Sequence, residues 1–235
     1  MPVNLCRFAV VLFALSFSSF VYGDSARSLD LLNAKYAESS NTPSDIFEHV
    51  PVLYGLALEC SSVTEIGVRS MVSTWGILKG LSENSHEGKS YLGIDLSLPP
   101  TKSLKAARRI SKDIGITYNF LQANDMTITL DPVELLFIDS LHTYCHLTYE
   151  LEKFSPSVLK YIALHDTSPP WDLVDETWYT GDFSEYPAHI DKNKRGLWPA
   201  VEDFLATHPE WEIKERRLNC HGFTILKRVS DANMN

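Results

Sequence analysis

The chain has 235 residues, 44% hydrophobic and 22% charged. That is the size of one globular domain with a short extension, and the apolar content excludes a wholly disordered chain. Lys plus Arg number 21 against 30 Asp plus Glu, a net charge of −9, which excludes a general nucleic-acid clamp or a polybasic membrane binder because either would repel its polyanion.

The amino end carries a single early base, Arg7, and then the apolar run FAVVLFALSFSSFVYG, with Val21 and Gly23 placed for cleavage before Asp24. This is the pattern of a secretory signal over residues 1–23, and the run is short for a spanning helix. The chain is therefore expected in the secretory pathway or outside the cell, with an uncleaved membrane anchor as the alternative. No later run is long and apolar enough to span a bilayer. Cys60, Cys145 and Cys220 then remain, an odd number without CxxC spacing, and read as small apolar residues.

Residues 24–60 form a polar, partly helical extension. Thr42–Pro43 looks like a helix start, followed by apolar positions at Ile46, Val50, Leu53, Leu56 and Leu58. From there strands and helices alternate over 61–230. Val63–Gly67 is a strand, Ser70–Leu81 a helix, Tyr91–Leu96 a strand, Lys102–Ile114 a helix and Thr117–Gln122 a third strand. Val133–Ile138 is an almost wholly apolar strand, and Leu147–Leu159 a helix interrupted near Pro156. Tyr161–Leu164 is a strand, Pro199–Thr207 a helix, and Trp211–Arg217 and Phe223–Val229 are strands around the turn Asn219–Gly222. Such alternation implies a parallel sheet covered on both faces. The last connection is too short for a crossover helix, so the final pair is antiparallel. The expected fold is α/β, a doubly wound, mostly parallel seven-stranded sheet with a reversed last strand. Residues 167–195, rich in Pro and aromatic residues (Trp171, Trp178, Tyr179, Tyr186), read as a lid.

In open α/β sheets ligands bind outside the carboxyl ends of the strands. Glu65 is an acid inside an apolar strand and needs donors, which a nucleoside ligand with an amino-acid tail could supply; Gly67 permits close backbone approach. The alternative is a tight turn with a capped acid. The segment is neither a dinucleotide fingerprint, since Arg69 and Val72 stand where glycines are needed, nor a P-loop. Asp95, 28 residues beyond Gly67, can accept from a ribose diol or cap a helix. Asn124 and Asp125 can contact an adenine edge or, equally, cap a helix. DSLHTY at Asp139–Tyr144 and LHDT at Leu164–Thr167 place Asp139, His165 and Asp166 at neighbouring strand ends, where carboxylates suit a hard divalent ion such as Mg²⁺. His142 is placed to act as a base. The alternative has these residues capping helices and bonding one another, and His165 could instead position Asp166.

EIGVRSMVSTWGILKG, YLGIDL, LLFIDSLHTY, YIALHDT and GLWPAVEDFLATHPEW…GFTILKR, in that order, resemble the class I S-adenosylmethionine-dependent methyltransferases, in particular the metal-dependent sugar O-methyltransferases and cephalosporin-hydroxylase-like proteins. The resemblance covers roughly Ile46–Arg228. It implies a Rossmann-like methyltransferase fold, S-adenosylmethionine as cofactor and Mg²⁺ as metal. It implies cofactor contacts at Glu65, Gly67, Asp95, Asn124, Asp125 and Asp139, metal ligation by Asp139, His165 and Asp166, and His142 as base. Relatives often carry two adjacent acids where this chain has His165-Asp166, and a glycine near Met71-Val72. The expected substrate is a small molecule, a saccharide or another polyhydroxylated compound, with no nucleic acid and no stable membrane span after signal cleavage; a homo-oligomer is compatible. The competing readings are a catalytically inactive secreted binding protein and a metal-independent N-methyltransferase.

Overall fold

A computed structural model describes residues 6–176 and 183–229, with side chains from Asp24 onward. Seven strands, β1 (Ser62–Ile66), β2 (Ser90–Asp95), β3 (Thr117–Gln122), β4 (Val133–Ile138), β5 (Val158–His165), β6 (Trp211–Arg217) and β7 (Phe223–Arg228), form one sheet in the order β3-β2-β1-β4-β5-β7-β6. β7 runs antiparallel to both β5 and β6, and every other pairing is parallel. The expected sheet with its reversed last strand is what the chain forms.

Helices cover both faces: α1 (Cys6–Asn41), α2 (Val50–Leu58), α3 (Val72–Glu83), α4 (Thr101–Asp113), α5 (Tyr144–Phe154) and α6 (Leu197–Thr207). The strand pleat divides the core. Leu135 and Phe137 face the core shared with α2, α3 and α4; Leu136 and Ile138 face the core shared with α5 and α6. This is why β4 reads as a continuous apolar run. Among the described residues no helix is long and apolar enough to cross a membrane.

Most element boundaries differ from the sequence reading by one or two residues, and two regions differ by more. Thr42–Pro43 does not start a helix: α1 ends at Asn41, and α2 begins at Val50 after a 3-10 turn at Phe47–His49, with its proline in the first turn. α1 itself is one continuous helix. It docks through Leu32, which is fully buried, and through Ser25 and Ser28, whose hydroxyls donate to the Asp113 carbonyl at 2.7 Å and carboxylate at 2.6 Å. α5 begins at Tyr144 because the Thr143 side chain accepts from the His146 amide, and it ends at Phe154; Pro156 sits in a 3-10 turn and Val158 already belongs to β5. Cys60 and Cys145 are buried free thiols, and Cys220 is a partly exposed one.

Candidate active site

β1 and β4 are neighbours in the sheet, but their chain continuations leave in opposite directions, to β2 on one side and β5 on the other. At that switch point a cavity of about 530 Å³ opens beyond the strand ends, within the range of roughly 300–1,000 Å³ common for small-molecule sites. Ile66, Ile94 and Met126 give it apolar surface, and Gly67, Asp95, Asn124, Asp125, Asp139, His142 and Asp166 line it. One cavity therefore joins most of the residues singled out in the sequence.

Gly67 is there for its missing side chain. Its φ is +89°, and a Cβ would lie 1.9 Å from the Asp139 carbonyl oxygen. The Gly67 amide donates to the Ile94 carbonyl and the Asp139 amide to the Ile66 carbonyl, both at 2.9 Å, so the turn is stitched to both neighbouring strands. The turn continues through Arg69 and Met71 at φ +41° and +70°. Asp95 accepts from the Arg69 amide on one oxygen and from the Ser97 amide on the other, both at 2.8 Å. Each oxygen keeps a second lone pair for a ligand hydroxyl. Asn124 caps the short turn that follows β3 by accepting from Met126 N at 2.9 Å, while still lining the cavity.

Glu65 departs from its expected role. It is fully buried, does not line the cavity, and accepts from the hydroxyls of Ser73, Thr74 and Tyr91. The donors that its burial demands come from the protein. Burial outweighs those hydrogen bonds and raises its pKa to about 7.

Asp139 and Asp166 end β4 and β5 with His142 between them. His142 Nε2 lies 2.9 Å from Asp166 Oδ2 and 3.6 Å from Asp139 Oδ1, and Nδ1 lies 3.2 Å from Glu176 Oε1. Burial disfavours the charged ring, but hydrogen-bonding carboxylates on three sides, with the Asp166 charge, push its pKa up to about 12. Partial burial pushes Asp139 up, yet the His165 charge and contacts from both histidines hold it below its ordinary value; the same histidines hold Asp166 well below. Asp166 also sits at φ +59°, an uncommon conformation for a side chain other than glycine and one met at functional sites.

His165 is not placed as a metal ligand. Its Nε2 faces the carbonyl oxygens of Asp45 and Cys220, each at 3.1 Å, and its Nδ1 faces Asp166 at 2.9 Å and Asp139 at 3.3 Å. Both nitrogens meet acceptors, and although burial opposes it, the Asp139 charge raises the pKa well above the ordinary value. With both nitrogens engaged by the protein's own oxygens, His165 is placed to compensate and position the two carboxylates. At this end of the cavity Asp139, His142 and Asp166 bring one candidate ligand atom each within 4.8 Å of one another. The donor set fits a metal ion: the carboxylates of Asp139 and Asp166 are hard oxygen donors lining the cavity, and both are held below their ordinary pKa.

Several site residues were not singled out in the sequence. Asp45, from the segment before α2, lines the cavity and pairs with Arg69 at 2.6 Å. Glu176 accepts from the His142 amide at 3.3 Å and donates its own amide to the His142 carbonyl at 2.9 Å, fastening the 167–195 insertion to the site. Trp171, one of the aromatic residues expected in the lid, stacks on the His142 ring at 6.0 Å. His221 Nδ1 lies 3.2 Å from Asp166. Trp178 and Tyr179, proposed as lid aromatics, lie outside the described residues. An acid inside a Pro- and Trp-rich insertion was the available signal for Glu176; Asp45 had none, because only the fold brings it near.

Comparison with known proteins gives no matching family model and no matching curated protein. Solved structures do match. A protein from Corynebacterium glutamicum is similar at 14% identity and TM-score 0.55, over 87% of this chain and 91% of that one. An O-methyltransferase from Bacillus cereus in complex with SAH is similar at 15% identity and TM-score 0.51, over 86% of this chain and 91% of that one. The fold is the Rossmann-like methyltransferase fold. At these identities the likeness is one of architecture, and the activity must be argued from the site.

Proposed function

We propose that the chain is an S-adenosylmethionine-dependent O-methyltransferase acting, with help from Mg²⁺, on a hydroxyl of a saccharide or another small polyhydroxylated molecule. The observation that carries this reading is the continuity of the cavity. It joins the Gly67 turn and Asp95 at one side to Asp139, His142 and Asp166 at the other. The Bacillus cereus O-methyltransferase of the same fold was solved with SAH.

The cofactor would supply an electrophilic methyl group, and a divalent ion would supply the positive charge that lowers a hydroxyl's proton affinity. The chain's own residues do the rest. Asp95, fixed by two backbone amides, offers acceptors to a ribose diol. Gly67 leaves the backbone bare beside Asp139. Asp139 and Asp166 are held ionised and are the oxygen donors for the ion. His142 is the group placed to take the acceptor's proton; a cation held by Asp139 and Asp166 would draw off the carboxylate charge that keeps its ring protonated. Trp171 and Glu176 cover and clamp that ring, excluding water from one face of it. Polyhydroxylated acceptors are favoured because vicinal oxygens match an ion held by few protein ligands.

The test is transfer of isotopically labelled methyl from S-adenosylmethionine to a panel of saccharides, with Mg²⁺ and then with EDTA. Labelled product that disappears on chelation supports the reading. Saccharide turnover indifferent to EDTA would remove Mg²⁺ from the reading, labelled product only from an amine-bearing acceptor points to a metal-independent N-methyltransferase, and cofactor binding without turnover points to the inactive binding protein. We also read residues 1–23 as a secretory signal; amino-terminal sequencing of exported chain would then begin at Asp24.

A further inference from the structure

A second cluster lies along the cavity wall and shares no residue with Asp139, His142 and Asp166. Asp125 follows β3, while His146 and Glu150 are one turn apart on α5 and so share a face. His146 Nε2 is 3.0 Å from Asp125 Oδ2 and 3.8 Å from Glu150 Oε1, and one donor atom from each residue lies within 4.8 Å of the others. All three are buried, with exposures of 7%, 5% and 0% for Asp125, His146 and Glu150.

Asp125 Oδ2 is a buried carboxylate oxygen with no aligned hydrogen-bond donor. The nearest base, Lys153, donates instead to the main-chain oxygens of Asp125 at 2.9 Å and Met126 at 2.6 Å. Two acids face one imidazole, and the second carboxylate's charge is offset by a proton on Glu150 or by a bound cation. Burial, with the Asp125 charge working against the relief from His146, raises Glu150 to about 8.

The outer contacts orient the donors inward. His146 Nδ1 meets the Tyr186 hydroxyl at 2.9 Å, which leaves Nε2 for the cluster, and the Ser140 hydroxyl donates to Glu150 at 2.8 Å. Metal-binding histidines and carboxylates are commonly fixed by such outer partners. Ser140, His146 and Tyr186 line the cavity, so an ion has a way in.

We propose that Asp125, His146 and Glu150 bind a transition-metal dication, Zn²⁺ by preference, at a site separate from Asp139, His142 and Asp166. An imidazole with two carboxylates suits Zn²⁺ better than Mg²⁺. Metal–ligand bonds of about 2.0–2.2 Å place neighbouring donors roughly 3.3 Å apart, between the two separations found here. The ion would tie the turn after β3 to α5 and so fix one wall of the cavity. The site does not depend on the methyltransferase reading, because ion binding is measured without cofactor.

The test uses the full chain stripped of metal, dialysed to equilibrium against Zn²⁺, and crystallised with one equivalent of Zn²⁺ for anomalous diffraction at the zinc edge. One equivalent should bind, with an anomalous peak among the three side chains. His146→Ala and Glu150→Gln should each weaken binding at least tenfold, and Asp166→Asn should leave that equivalent in place. Circular dichroism checks the fold of each variant, and the diffraction result stands without any variant. No binding, or a peak only between Asp139 and Asp166, would overturn the proposal and leave the cluster a proton-bridged ion pair.

Discussion

Gly67→Ala separates what a left-handed backbone costs from what a close approach costs. Gly88 is the natural control: its φ is +65°, and a Cβ there would meet nothing within 4 Å. Gly88→Ala should therefore cost only the conformational term, about 1–2 kcal/mol. At Gly67 the φ of +89° adds a similar term, but the new Cβ would also sit 1.9 Å from the Asp139 oxygen and 2.5 Å from its carbonyl carbon. These are backbone atoms and cannot rotate away. Relief requires the turn to part from β4 by more than 1 Å, which adds roughly 1–3 kcal/mol of overpacking strain and weakens one or two stitching hydrogen bonds at about 1 kcal/mol each. The expected total is about 3–7 kcal/mol, against about 1–2 for the control. Urea denaturation of both variants measures the difference. Calorimetry should show S-adenosylmethionine binding weakened only in Gly67→Ala, because Asp139 moves with the turn. Equal destabilisation of the two variants, with cofactor affinity unchanged, would refute the assignment of Gly67 as the close-approach residue.

Three further outcomes follow from the same geometry. Glu65 has a pKa raised from 4.5 to about 7 by burial, so its contribution to stability is whole below pH 4.5 and is lost as pH rises through 7; Glu65→Gln should gain about 3 kcal/mol relative to the parent between pH 4.5 and 8, read from urea midpoints across that range, and a constant difference would contradict it. Asp166→Asn keeps a residue tolerant of φ +59°, so thermal melting should still be cooperative while Mg²⁺ affinity falls on the order of 10–100-fold; unaltered Mg²⁺ binding would remove Asp166 from the ion site. Asp95→Ala deletes the acceptor of two backbone amides and should weaken S-adenosylmethionine binding about tenfold to a hundredfold by calorimetry, with Mg²⁺ binding unchanged.

How much of this was legible in the chain depends on the range of the interaction concerned. β3 and β4 were readable to the residue, since their apolar patterns and following turns are local. The ends of β4 and β5 therefore placed Asp139 and Asp166 correctly at adjoining positions. The start of α5 was missed by three residues because the cap is a Thr143 side chain reaching the His146 amide, a weaker mark than apolar periodicity. Glu65 was misread for a different reason. An acid in a strand announces a need for donors but not their source, and Ser73, Thr74 and Tyr91 converge on it only after α3 and β2 pack. The same holds for His165, whose two carbonyl partners come from the segment before α2 and from the turn between β6 and β7. Spacing also hid the pairing of His146 with Asp125, which lies 21 residues earlier and meets it only across the cavity wall.

The most direct test of the central claim is calorimetric titration of the purified full chain with S-adenosylmethionine, first with Mg²⁺ and then with EDTA. Saturable binding near one equivalent is the predicted result, lost or sharply weakened in Asp95→Ala. A demonstrably folded chain that binds no S-adenosylmethionine in either condition would contradict the methyltransferase reading.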